Sequence, residues 1–129
     1  MKDELKKTVE RKDEQGLIKC LDFNNISKFD SSCFEYIEKA LTGTWHSQHE
    51  DLVHTIYLGN LRDDSFVEPI LNIAIDRERF RWYDDELEST LRKCVYALKT
   101  INSELANRAI GKLKDLNNDN VKNALEIYS

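Results

Sequence analysis

The sequence predicts an all-α fold, a right-handed stack of antiparallel helix pairs built from about six to seven helices. Three observations predict it. Apolar residues recur at spacings of three and four along most of the chain. The pattern repeats at an interval of 40 residues. Four Gly and one Pro among 129 residues leave too few turns for a many-stranded sheet. That length suits one domain with one core, since domains most often run about 100 to 150 residues.

The strongest stripe spans Asp84 to Ile101, where Leu87, Leu91, Cys94, Val95, Leu98 and Ile101 share one face of a 3.6-residue helix. Asp84 or Asp85 caps its start, while Arg92, Lys93 and Lys99 lie away from that acidic end, as the helix dipole prefers. A second helix follows at once, with Leu105, Ala106, Ala109, Ile110, Leu113 and Leu116 as its stripe. Asn102 or Ser103 is its cap, and Asn117-Asn118 its stop. Two stripes joined so tightly predict an antiparallel hairpin. Upstream, Leu52, Val53, Ile56, Tyr57 and Leu61 mark a helix that begins between His46 and Glu50, and Arg62-Asp63-Asp64 is its turn. Phe66, Val67, Ile70, Leu71, Ile73 and Ala74 form the broad apolar face of the next helix, capped by Asp63 or Asp64. Pro69 stands near its start, where a missing N–H costs little. Cys33, Phe34, Ile37, Ala40 and Leu41 fit a shorter helix ended by Gly43. The first 22 residues read as helical but broken near Gly16, and Val121, Ala124, Leu125 and Tyr128 begin a closing helix. The expected organisation is N-terminal helices over 1–44, paired units at 46–76 and 84–116, and a closing helix at 119–128.

A shift of 40 residues lays Leu58 on Leu98, Leu61 on Ile101, Phe66 on Ala106 and Ile70 on Ile110, whereas Val67 falls on Asn107 and Pro69 on Ala109. Two helices per period of about 40 is the signature of HEAT or armadillo-like arrays. The stretch Leu58-Gly59-Asn60-Leu61-Arg62-Asp63-Asp64-Ser65-Phe66-Val67-Glu68-Pro69-Ile70-Leu71 resembles the HEAT pattern of a leucine-glycine pair, an aspartate turn, then valine, proline and leucine. The region from His49 to Tyr128 is also similar to small bacterial HEAT-like immunity proteins of polymorphic or contact-dependent growth inhibition toxin systems. That resemblance implies an antitoxin, a toxin inhibitor working by protein-protein interaction. HEAT-like arrays bind along the second helix of each pair and the adjoining loops, which here implicates Asp63, Asp64 and Glu68, then Arg81, Trp82, Tyr83, Asp84, Asp85 and Glu88 of the linker and the following helix start.

Charge agrees with a protein partner. Residues 1–43 carry a net −1, residues 44–90 a net −7 and residues 91–129 a net +3, within a total of −5. The acidic middle repels phosphate backbones and suits a basic partner protein, so no nucleic acid is expected as a ligand. Aromatics interleaved with arginine, Arg77-Glu78-Arg79-Phe80-Arg81-Trp82-Tyr83, are either a plug between units or interface anchors of the type that dominates hot spots. The function expected is binding and neutralisation of a cognate basic toxin, a nuclease being one candidate. The alternative is a HEAT-like adaptor or scaffold that docks a peptide or a subunit of a complex.

The chemistry of catalysis is weakly represented. His46, His49 and Glu50 form H-x-x-H-E, a spacing that puts metal-binding side chains on one helical face. HEAT-like deoxyhypusine hydroxylases build a di-iron site from several His-Glu pairs, but His49-Glu50 is one pair alone, so buried structural histidines are expected and no metal or cofactor. Cys94 lies inside the apolar stripe and reads as an inert core thiol, and Cys20 and Cys33 are odd partners far apart in sequence. No P-loop, Rossmann glycine pattern or G-x-S-x-G is present. An enzyme is therefore not expected. No apolar run approaches the roughly 18 residues that span a bilayer. The acidic start Met1-Lys2-Asp3-Glu4-Leu5 is unlike a signal peptide, so the expectation is a cytoplasmic protein, with a monomer favoured.

Overall fold

The computed structural model describes residues 1–76, 87–116 and 119–128. The side chains of Leu87, Glu88, Asn120, Ile127 and Tyr128 lie outside that description. Its helices are α1 (Lys2–Arg11), α2 (Glu14–Cys20), α3 (Phe34–Thr42), α4 (His49–Leu58), α5 (Val67–Ile75), α6 (Leu87–Ile101), α7 (Glu104–Asp115) and α8 (Asp119–Tyr128). Three 3-10 turns, Phe23–Lys28, Ser31–Cys33 and Asp64–Phe66, punctuate them. The fold is all-α, with no strand among the described residues. Among the described residues there are eight α-helices against the six to seven expected; three lie in the N-terminal region, as its apolar pattern suggests, but the break between the first two is displaced.

The first division falls at Lys12, not near Gly16. Lys12 takes a left-handed φ of 51°, and the Asp13 side chain accepts from the Gly16 backbone N–H to cap α2. Gly16 therefore lies inside α2. A Cβ there would come within 2.7 Å of Asp13 Oδ2 and 2.9 Å of Thr8 Oγ1, so the glycine permits the close approach of α1 to the start of α2. Asp22 and Asp30 begin the two 3-10 turns that follow, each accepting a backbone N–H two residues on.

The central helix is α6, which packs against α4, α5, α7 and α8. Its stripe of Leu91, Cys94, Val95, Leu98 and Ile101 is buried as the spacing predicts, and Ala97 joins it. Around this axis, α3 touches α1, α4 and α5, tying the N-terminal helices to the rest. Phe34 and Phe66 meet edge to face at 5.1 Å, fastening α3 to the turn before α5. On α5 the whole broad face is buried, from Val67 through Ala74 with Pro69 included, while Glu68 and Ile75 are exposed.

The two halves of the 40-residue repeat agree in their caps and differ in their helix ends. Asp63 and Ser103, 40 residues apart, are both N-caps: Asp63 Oδ2 accepts from Ser65 N at 3.2 Å, and Ser103 Oγ from Ala106 N at 3.1 Å. Leu61 and Ile101, Phe66 and Ala106, and Ile70 and Ile110 are buried alike. Leu58 breaks the pattern, being 40% exposed where Leu98 is fully buried. The reason is local. Helix α4 stops at Leu58 and turns through Asn60 (φ 54°), with Leu61 N–H returning to Ile56 O at 3.0 Å. Helix α6 continues to Ile101 before Asn102 (φ 50°) makes the turn. On α7, Leu105 and Leu116 are exposed rather than part of the buried stripe, which narrows to Ala106, Ala109, Ile110 and Leu113.

Candidate functional site

The two histidines of H-x-x-H-E clamp helix ends. His46 Nδ1 sits 2.9 Å from the Gln48 backbone nitrogen, whose N–H can only donate, so Nδ1 is the bare acceptor. His46 Nε2 then carries the proton and donates to Ala40 O at 2.8 Å. His49 Nε2 donates in the same way to Gly43 O at 2.6 Å. Both carbonyls belong to the C-terminal end of α3, where helix geometry leaves acceptors without intrahelical donors. The two rings stack at 4.3 Å and Trp45 meets His46 edge-on at 4.5 Å. A Cβ at Gly43 would come within 2.6 Å of Trp45 Nε1, so this packing requires the glycine that ends α3. Burial pushes the His46 pKa below its ordinary value, against the pull of the Ala40 carbonyl and the Glu14 carboxylate.

Glu50 turns away from both histidines. It accepts from Ser89 Oγ at 2.5 Å and pairs with Lys93 Nζ at 2.8 Å, joining the first turn of α4 to α6. Burial pushes its carboxyl up, but the hydrogen bonds from Lys93 and Ser89 and the Lys93 charge outweigh that and hold it below the ordinary range. Among the described residues no group of three or more His, Cys, Asp and Glu is placed to hold a metal ion. Cys94 is fully buried and its thiol is pushed up to about 12 by desolvation, so it is no nucleophile at neutral pH.

The acidic residues expected to meet a partner fall in three groups. Asp63 is half-buried and occupied as a cap, bonded to the Ser65 N–H and to the Ser65 hydroxyl. Asp64 and Glu68 are exposed, four residues apart across the start of α5, and neither forms an ion pair among the described residues. Arg81, Trp82, Tyr83, Asp84 and Asp85 lie outside the described residues. So do the side chain of Glu88 and the cap and stop assigned to Asp84, Asp85, Asn117 and Asn118.

Sequence reasoning passed over two features. Glu14, on α2, accepts from Ser47 N at 2.8 Å, Ser47 Oγ at 3.0 Å and Gln48 Nε2 at 3.2 Å, holding the chain just before α4 across 33 residues. The Ser47 backbone N–H, then the Gln48 side chain and the Ser47 hydroxyl, lower its pKa. Phe23 is 75% exposed on its 3-10 turn, beside the half-buried Leu21 and Ile26. The available signal for Phe23 was its position outside every helical stripe, among Asp and Asn residues. Compared with known proteins, the chain matches no family model, no curated protein and no solved structure.

Proposed function

We propose that this chain is an immunity protein, which binds a cognate basic toxin of bacterial origin and neutralises it by covering its active site or substrate groove. One observation carries the reading: an acidic edge whose charges are left for a partner. Residues 44–76 contain six acids and a single base, Arg62. Glu50 is spent on Lys93 and Asp63 on its cap, whereas Asp64 and Glu68 are exposed at the start of α5 and form no ion pair among the described residues. Unpaired acids of this kind attract a basic surface and speed its encounter. The HEAT-like turn from Leu58 to Leu71, which contains this edge, is the second support.

The test is growth rescue in cells that express candidate toxin domains, with the chain supplied in trans. Protection from one toxin by the wild type, and its loss in an Asp64→Lys, Glu68→Lys double variant of unchanged melting temperature, is expected. The on-rate for that toxin should fall about tenfold at low salt and much less at high salt. Equal protection by the double variant would refute the acidic edge. Protection from no toxin would refute the immunity role and favour the adaptor, whose peptide or subunit would dock on the same edge.

A further inference from the structure

We infer that the groove between the Phe23–Lys28 turn and α4 is an anchor pocket for a basic partner protein, which fills it with an aromatic or aliphatic side chain while an adjacent Lys or Arg meets Asp51. This rests on the protein-binding reading above and adds to it the apolar contact that charges alone do not supply.

The groove has a volume of about 220 Å³ and is lined on its apolar side by Leu21, Phe23, Ile26 and Leu58, with Asp51, His54 and Thr55 of α4 completing it. Its size is adequate, since a cavity of about 150 Å³ accepts benzene. Phe23 and Leu58 are 75% and 40% exposed, from two elements that are far apart in sequence, and they face the same space. Single exposed apolar residues are ordinary; a paired rim around a concavity marks an interaction site.

Charge decides which anchor fits. His54 is held below its ordinary value by burial and by the nearby Lys93, despite the opposing pull of Asp51 and Glu50, and this depression favours its neutral form. The lining contains no lysine or arginine, and the Asp51 carboxylate forms no ion pair among the described residues. One uncompensated negative charge beside an apolar groove favours an apolar side chain flanked by a cation and rejects one flanked by an acid.

Position links the groove to the acidic edge. Leu58 on the groove and Asp64 at the edge are six residues apart, a separation of at most about 22 Å. A standard interface covers about 800 Å² on each partner, a patch roughly 30 Å across, so one partner spans both.

Titration with capped tripeptides, followed by the backbone amide shifts of residues 21–26 and 51–58, tests the inference. Acetyl-Lys-Phe-Lys-amide should bind saturably in the millimolar range. Acetyl-Glu-Phe-Glu-amide and acetyl-Lys-Gly-Lys-amide should bind at least fivefold more weakly, and so should the lysine peptide to a Phe23→Ser, Leu58→Ser variant of native melting temperature. No saturable shift, equal binding of the glycine peptide, or undiminished binding by the variant would overturn the pocket. Peptide-free shifts at the same residues that grow with protein concentration, together with a dimer in sedimentation, would make the occupant a second copy and overturn it as well. If the groove variant protects fully from a toxin while the Asp64→Lys, Glu68→Lys variant does not, the anchor role fails and the proposed function stands. If both variants protect fully, the acidic-edge mechanism of that function fails too.

Discussion

Replacing Leu98 by Ala tests the packing at the centre of the fold. Leu98 is fully buried on α6, the helix that touches α4, α5, α7 and α8. The substitution removes three carbon groups from a site with neighbours on several sides. Transfer alone accounts for about 2.4 kcal/mol at about 0.8 kcal/mol per group, and the residual cavity raises the loss to about 3 to 4 kcal/mol. For a domain of this size, about 3 to 6 °C is lost per kcal/mol, so the melting temperature should drop by about 10 to 20 °C. Leu105→Ala is the matched control. Leu105 occupies an apparently equivalent stripe position on α7 but is 42% exposed, so its truncation should cost under about 1 kcal/mol. Urea unfolding and calorimetry on both variants provide the assay. A loss at Leu105 equal to that at Leu98, or a Leu98→Ala protein that melts within 2 or 3 °C of wild type, as only a roughly surface-level cost allows, would refute the assigned burial.

Three further predictions concern ionisable groups. Glu50→Gln should cost about 1 kcal/mol at pH 7, because its pair with Lys93 is partly exposed. The folded carboxyl is depressed, so this contribution is whole above the unfolded value near 4.5 and is lost as pH falls through the folded value; urea curves of wild type and variant should therefore converge as the pH is taken progressively below 4.5. His46 is also depressed, and protonating Nδ1 would set two N–H groups against each other at Gln48. Its contribution is whole above the ordinary value of 6.5 and is lost as pH falls through the folded value, so the stability of wild type should decline more steeply below pH 6.5 than that of His46→Gln. An equal slope in the two proteins would refute this. All three thiols, Cys20, Cys33 and Cys94, are buried, and a disulfide-exchange reagent should titrate close to none of them in native protein at pH 8 and all three in denaturant. Rapid native reaction of Cys94 would contradict its placement.

Much of the fold was legible in local pattern. The stripe Leu91, Cys94, Val95, Leu98 found the central helix, and Ser103 and Asp63 found two helix starts, because periodicity and capping depend on residues within one or two turns. The core spacing of His49 with Leu52 and Val53 pointed to its burial, although not to what the ring holds. The break between the first two helices was legible but its place was not, since a left-handed Lys12 carries no compositional mark comparable to a glycine.

What the sequence by itself determined is which residues can share a face: a succession of helical segments with an apolar side each, and an acidic middle region. Only the tertiary structure decided which of those faces found a partner. Leu98 and Leu105 both sit on stripes, yet one is fully buried on a helix that touches four others and the other is 42% exposed. Glu50 is consumed by Lys93 across 43 residues and the Ser47 turn by Glu14 across 33, while Asp64 and Glu68 form no ion pair among the described residues. The groove at Phe23 and Leu58 exists only because a 3-10 turn lies beside the end of α4. Helical periodicity is a property of neighbours in the chain, whereas burial, pairing and concavity depend on elements brought together from distant positions, and no local spacing encodes that approach.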